Sequence, residues 1–439
     1  MFCRRSRAAE EMRSVEEHRA AVRALIAPAL GRVAEREPLL LPIDDPELVG
    51  RLTAVDLLSS FPMPPFTNSQ MDGYAVLASD VLDASQEQPV ELPIGWATAA
   101  GDPPLRHRPG TASPIMTGAA VPEGADAVIP VEAALPPRFP TLARHPFSLV
   151  RAEEANREPE GTVAFSEPVQ PGAFVRHCGE DSPAGSALAL RGRRLTPALI
   201  GALAAAGITE VPVQRRPRIL VCATGDELQE RSGALSPGRI YDANTPMLAA
   251  MLRSAGAETV RARSVDRPDE LRRLLEGAES FDLAVTSGGI SAGAYEVVRE
   301  ALEPLDAEFV SVAMQPGGPQ GLANVERAAS LPLPLLCFPG NPVSSMLSTE
   351  VFLLPELREA AGLPAERERQ QLALAHDVTS PESKLQFRRG TVGADGTVTV
   401  SAPGSHLLTG LADADVIVEI PVGVEHVAAG RLLDTWRIA

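Results

Sequence analysis

The sequence predicts a multidomain protein of the α/β and β classes. At its centre is a parallel α/β sheet domain with helices on both faces. A β-rich inserted domain, a helical, linking N-terminal domain and a small all-β C-terminal domain complete it. Three observations predict this. The chain has 439 residues, more than one domain usually holds. From Arg218 to about Gly362, short apolar runs alternate with stretches of helical period. On both sides of that block the runs are short, β-like and punctuated by Pro and Gly.

Residues 1–13 read as a disordered leader, with Met12 as an alternative start. Ser14 and Glu17 then form a capping box for a helix carrying Val22, Leu25 and Ile26. A second apolar-periodic segment carries Leu48, Leu52, Val55 and Leu58. Residues 14–60 and 177–213 together are expected to form the linking domain. Within it Thr196-Pro197 opens a helix that ends at Gly207. The β-rich domain spans 61–176, with strands at 89–93 and 127–131 and exposed loops at 136–140 and 151–161.

The α/β domain spans 214–363. Residues 219–223, 283–286 and 335–338 are buried-strand runs, each followed by a glycine-containing loop. Helices fit 245–255, 269–276, 295–302 and 343–357. The C-terminal domain spans 364–439. There Asp395-Gly396 turns a hairpin between 387–392 and 397–400, and 416–420 is a further strand.

Composition excludes several classes. A formal charge of −17 argues against nucleic acid and anionic lipid as partners. No apolar run is long enough to span a bilayer, and the basic N-terminus lacks the apolar stretch of a secretory signal. The expected location is the cytoplasm. Cys3, Cys178, Cys222 and Cys337 form no CxxC pair, so neither a disulfide framework nor a zinc site is expected. Lys384 is the only lysine.

Ligands of open α/β sheets bind beyond the carboxyl ends of the strands. Three loops stand there: Ala223-Thr224-Gly225-Asp226-Glu227, Thr286-Ser287-Gly288-Gly289-Ile290-Ser291-Ala292-Gly293 and Phe338-Pro339-Gly340-Asn341-Pro342. Glycines let backbone N–H groups approach an anion, and a following helix adds its positive end. Each loop alone is equally a plain tight turn, but three on one sheet reinforce one another. None fits the P-loop or GxGxxG fingerprint. Asp226, Glu227, Asp242 and Glu296 flank these loops. They would hold a metal or manage a proton; the alternatives are that Asp226 caps a helix and Glu296 lies on a solvated face. In the β-rich domain, residues 64–76 crowd turn-capping polar residues against Met71, Tyr74 and Phe66.

Together these segments resemble the molybdopterin molybdenumtransferase family, the MoeA-type proteins and the gephyrin E domain. The resemblance runs from about Ser14 to the C-terminus. It rests on NSQMDGYAV, IMTGAAVPEGADAVIPVE, GEDSPAG, RPRILVCATGDEL, the IYDAN run, TSGGISAG and FPGNPVS, in the family's order. It implies four domains and a homodimer, with the site between the α/β domain of one chain and the β-rich domain of the other. Other enzymes of molybdenum cofactor biosynthesis are implied as further partners. The implied reaction inserts molybdate into adenylylated molybdopterin, hydrolysing the adenylyl–pterin link and releasing AMP with help from Mg²⁺.

By the same resemblance Asp72, Thr117, Asp181, Glu227 and Glu296 are catalytic, with Glu227 the Mg²⁺ or water-positioning acid. Asp72 and Thr117 would reach the ligand from the partner chain. Ser287, Gly288, Gly289, Gly340 and Asn341 would bind the nucleotide phosphate or pterin, with Asp226, Asp242, Asn244, Ser291 and Ser344 beside them. Lys384, Arg389 and Ser405 fall where the family holds molybdate.

Two features depart from the family. Glu296 stands where aspartate is usual. Gln315-Pro316-Gly317-Gly318-Pro319 replaces the common Lys-Pro-Gly-Lys-Pro. Losing two buried, charge-assisted contacts would cost roughly 1–3 kcal/mol each. Two other readings therefore stay open: a catalytically weakened relative that binds the pterin or acts as a scaffold, and an enzyme like the molybdopterin adenylyltransferases.

Overall fold

The computed structural model describes residues 12–139, 159–229, 234–264, 267–290 and 296–438. The chain forms two compact units. One comprises the described residues of Met1–Val55, Gly192–Leu195 and Pro212–Ala439; the other those of Asp56–Arg191 and Thr196–Val211.

The first unit is built on a six-stranded sheet. Strands Glu258–Ser264, Arg218–Thr224, Leu283–Ser287 and Leu333–Phe338 lie side by side and parallel. Pro319–Val325 and Glu308–Ser311 then extend the sheet antiparallel, so it is mixed rather than wholly parallel. The three central strands are buried along nearly their whole length because both faces are covered. On one face, Ile219, Val221, Val285, Leu336 and Phe338 pack against helices Asn244–Ser254, Pro342–Ser348 and Leu354–Ala360. On the other, Leu220, Cys222, Ala284 and Leu335 pack against Pro268–Glu276 and Val297–Leu302.

The first helix, Val15–Ala34, starts at the expected capping box: Ser14 Oγ accepts the Glu17 N–H, and Glu17 Oε2 accepts the Ser14 N–H at 2.8 Å. Val22 and Ile26 join the sheet's first core, so this helix is part of the α/β packing. The apolar-periodic segment around Leu48 is not helical. Pro46 and the positive φ of Gly50 break it into turns and isolated bridges, leaving Val55 exposed. Residues 343–357 do not form one helix either. A π-turn at Thr349–Leu353 separates two shorter α-helices, and Pro355 opens the second.

A second six-stranded sheet in this unit carries the C-terminal residues. Leu385–Val392 pairs with Val416–Ile420 and, through the expected hairpin, with Val398–Val400; Gly396 takes φ +80° there. Its far edge is Met314–Gln315, which runs parallel to Leu385-Gln386 with Gln315 opposite Gln386.

The second unit holds small β-sheets. Gly73–Val76 lies between Ser113–Ile115 and Ala127–Pro130. Helix Pro197–Ala205 is capped by Thr196 Oγ1, which accepts the Leu199 N–H, and is followed by Gly207 at φ +75°. Among the described residues, no helix is long and apolar enough to cross a membrane.

Candidate functional site

A cavity of about 860 Å³ opens beyond the carboxyl ends of Arg218–Thr224, Leu283–Ser287 and Leu333–Phe338 in the first unit. That volume suits a nucleotide-sized ligand. Glu227, Asp242, Asn244, Ser287, Gly288, Gly289, Glu296, Gly340, Asn341, Ser344 and Ser405 line it, together with Thr224, Gln315 and His406. Residues drawn from six sequence segments are thus gathered in one place.

The loops interlock through one hydrogen-bonded cluster. Asn244 Nδ2 donates to Ser287 Oγ at 2.8 Å and to the Gly340 carbonyl at 2.7 Å. Ser287 Oγ and Ser345 Oγ lie 2.9 Å apart, and Ser345 also donates to the Pro339 carbonyl. The Ser287 hydroxyl, only 2 % exposed, is therefore occupied in joining loops. Ser345, one position beyond the expected Ser344, supplies the tie. The Asn244 Oδ1 and Thr224 Oγ1 atoms at this wall are buried without a partner. Orphaned polar atoms of this kind mark sites where a ligand or water completes the bonding.

Glycine is required where the strand ends converge. Gly288 has φ +99°, and a Cβ there would stand 3.1 Å from the Thr224 carbonyl oxygen; one on Gly340 would stand 3.3 Å from the Gly288 Cα. The Gly288 N–H donates to the Phe338 carbonyl, so it braces the loops. Gly225 likewise leaves room for Glu227, whose carboxyl carbon lies 2.6 Å from where a Cβ would be.

The acids divide by role. Glu227 is exposed at the cavity, its loop pinned where Leu228–Gln229 pairs with Ile240–Tyr241. Asp242 accepts both the backbone N–H and the hydroxyl of Thr245, so it caps helix Asn244–Ser254. Asp226, expected as the possible cap, has no helix after it and lies outside the lining. Glu296 lines the cavity at the start of helix Val297–Leu302. Ser291 lies outside the described residues.

The C-terminal sheet reaches the cavity through residues 403–406. Asn341 Nδ2 donates to Ser405 Oγ at 3.0 Å. Arg389 is not in the lining. Its buried guanidinium donates to Ser401 Oγ, the Leu407 carbonyl and the Ala402 carbonyl, holding the loop from behind. Lys384 also lies outside the lining. Among the described residues, no lysine or arginine lines the cavity.

Asp72, Thr117 and Asp181 belong to the second unit. Asp72 Oδ1 accepts the Thr117 N–H at 2.6 Å and its hydroxyl at 2.8 Å, and these bonds, the backbone one first, hold the carboxyl below its ordinary range. Both residues are exposed, while Tyr74 two positions on is fully buried with its hydroxyl on the Arg138 carbonyl. The intervening Gly73 cannot carry a side chain: a Cβ would meet the Ile129 carbonyl carbon at 2.9 Å. Asp181 is exposed on a separate loop anchored by its N–H to the Met63 carbonyl.

Three family models match the chain: the MoeA N-terminal region (domain I and II) over residues 13–207, the "Probable molybdopterin binding domain" over 220–359, and the MoeA C-terminal region (domain IV) over 371–437. A Mycobacterium tuberculosis protein named "Molybdopterin molybdenumtransferase 2" is 39 % identical, with 97 % of this chain and 100 % of that protein covered. The molybdopterin molybdenumtransferase of Synechococcus elongatus is 33 % identical over 90 % of this chain and 92 % of its own. A crystal structure of the molybdopterin biosynthesis MoeA protein from Pyrococcus horikosii superposes with a TM-score of 0.74 at 28 % identity, covering 94 % of this chain and 98 % of that one. The chain belongs to the MoeA family of molybdopterin molybdenumtransferases.

Proposed function

We propose that this protein inserts molybdate into adenylylated molybdopterin and releases AMP. Family membership makes it a transferase of molybdenum cofactor biosynthesis. The observation that carries the finer reading is the bond between Asn341 and Ser405. It joins the strand-end loops to the C-terminal 403–406 loop, and both line one cavity. Glycine-rich backbone on one side suits the nucleotide phosphate, and Ser405 on the other suits the molybdate substrate.

The residues fit an assisting Mg²⁺ held by few protein groups. Among the described residues no cluster of three metal-ligating side chains exists, and Asp242 is occupied by Thr245. Glu227 offers an exposed carboxylate, which suits an ion that binds through one or two carboxylates plus substrate phosphates. When bound, Mg²⁺ would offset the charge of the phosphoanhydride. Glu227 would hold it and orient the attacking water. Asn244, Ser287 and Gly340 keep the cradle in shape, while Glu296 faces the same volume. The protein would work in the cytoplasm as a homodimer in which Asp72 and Thr117 act on the partner chain's ligand. Glu227→Ala should retain binding of adenylylated molybdopterin while losing AMP release; release at the wild-type rate would contradict the assignment.

A second reading, binding without turnover, is favoured by one observation: the absence of lysine and arginine from the described cavity lining. Single-turnover assays with saturating molybdate separate the two.

A further inference from the structure

We propose that Gln315 is a specificity-determining residue of the cavity, a neutral N–H donor for a tetrahedral oxyanion, held in place by a hydrogen-bond relay from the buried Arg388. This role rests on the oxyanion and phosphate reading above. Arg388 is 8 % exposed and its guanidinium can only donate. Its Nη1 reaches Gln386 Oε1 at 3.2 Å, while Nε donates to the Ser401 carbonyl at 3.0 Å. The guanidinium therefore fixes the Gln386 amide with its oxygen toward Arg388. Gln386 is 2 % exposed, so water cannot compensate a flip.

With its oxygen so placed, Gln386 Nε2 faces Gln315 across the parallel pairing of Met314–Gln315 with Leu385-Gln386. It donates to Gln315 Oε1 at 2.6 Å. A donor needs an acceptor, so the Gln315 amide is also set: oxygen toward Gln386, Nε2 away from it. Gln315 is half-buried and lines the cavity. Among the described residues no acceptor is bonded to its Nε2, and that atom is not buried. Two donor–acceptor choices, each forced by the one before, leave an N–H₂ group available to the cavity.

The consequence is an anion site that discriminates by hydrogen-bond geometry rather than by charge. With no lysine or arginine in the described lining, a neutral donor here binds an oxyanion oxygen without forming an ion pair. Anion affinity at this wall should then depend little on ionic strength.

The test is calorimetric titration of the full-length protein with AMP and, separately, with molybdate. Gln315→Glu keeps the shape but presents a second acceptor, and should weaken binding of one of the anions by at least about tenfold; Gln315→Leu should do so by about threefold to tenfold. Gln386→Leu, which frees the Gln315 amide to rotate, should cost about threefold. Gln315→Lys should tighten binding at about 0.05 M salt and lose that gain at about 0.5 M. Loss confined to AMP places the donor at the nucleotide phosphate, and loss confined to molybdate places it at the inorganic substrate; both support the assignment. If the wild-type protein binds the anions and the two Gln315 truncation and charge variants bind them equally well, the assignment of Gln315 is wrong while the functional reading stands. If the wild-type protein binds neither anion, both fall. Circular dichroism and thermal melts of Gln315→Glu, which keeps the side-chain shape, and of Gln315→Lys, which is one atom longer, identify any variant whose loss comes from misfolding.

Discussion

Asn341 Nδ2 lies 3.0 Å from Ser405 Oγ, joining the loop after the central strand Leu333–Phe338 to the loop of the C-terminal sheet. The bond is exposed, so Asn341→Ala should lower stability by only about 1 kcal/mol. Its larger effect should be on function, because the two loops would lose their common register. Nucleotide binding should weaken by about tenfold with little change in the thermal midpoint. A fall in stability without any change in affinity would assign the bond to folding alone.

Ser287→Ala should behave differently. Its hydroxyl is buried between Asn244, Ser345 and Pro339, and its removal leaves the Asn244 amide one acceptor short. A loss of about 1–3 kcal/mol in urea denaturation is expected. Gly288→Ala should cost a similar amount for another reason: φ +99° disfavours any side chain, and the Thr224 carbonyl is already close.

His18 predicts a pH dependence. It is fully buried in helix Val15–Ala34, packed edge-on against Phe352 at 4.6 Å, with both ring nitrogens unpartnered. Burial first, then Arg13, pushes its pKa from 6.5 down to about 4. The folded state thus keeps the ring neutral while the unfolded chain takes up a proton. The associated stability is complete above pH 6.5 and is lost as pH falls toward 4. The loss should be about 2–3 kcal/mol, absent in His18→Met, when denaturation is followed between these pH values.

Arg389→Met should release the 401–407 segment, because the guanidinium holds that segment by three acceptors. Faster hydrogen exchange confined to 401–407, together with weaker molybdate binding, is expected. Unchanged exchange there would contradict the bracing role.

Local signals were legible in the sequence where one side chain determines one turn. The Ser14–Glu17 capping box, the Thr196-Pro197 start and the Asp395-Gly396 hairpin formed as their residues dictate. The strand-end glycines also pointed to the cavity. Nonlocal choices were not legible. Capping by Asp242 rather than Asp226 depends on which stretch becomes helix. The antiparallel placement of Pro319–Val325 and Glu308–Ser311 depends on pairing that no local pattern encodes. The contact of Gln315 with Gln386 spans 71 residues of chain, and the turn of Arg389 away from the cavity depends on a loop twelve to eighteen positions later. The resemblance named Gln315 and Arg389 without giving the directions of their side chains.

The most direct measurement is AMP release from adenylylated molybdopterin by the full-length protein, with and without molybdate. Release should need molybdate and disappear in Glu227→Ala. Tight binding of the adenylylated pterin with no AMP release at saturating molybdate would contradict it.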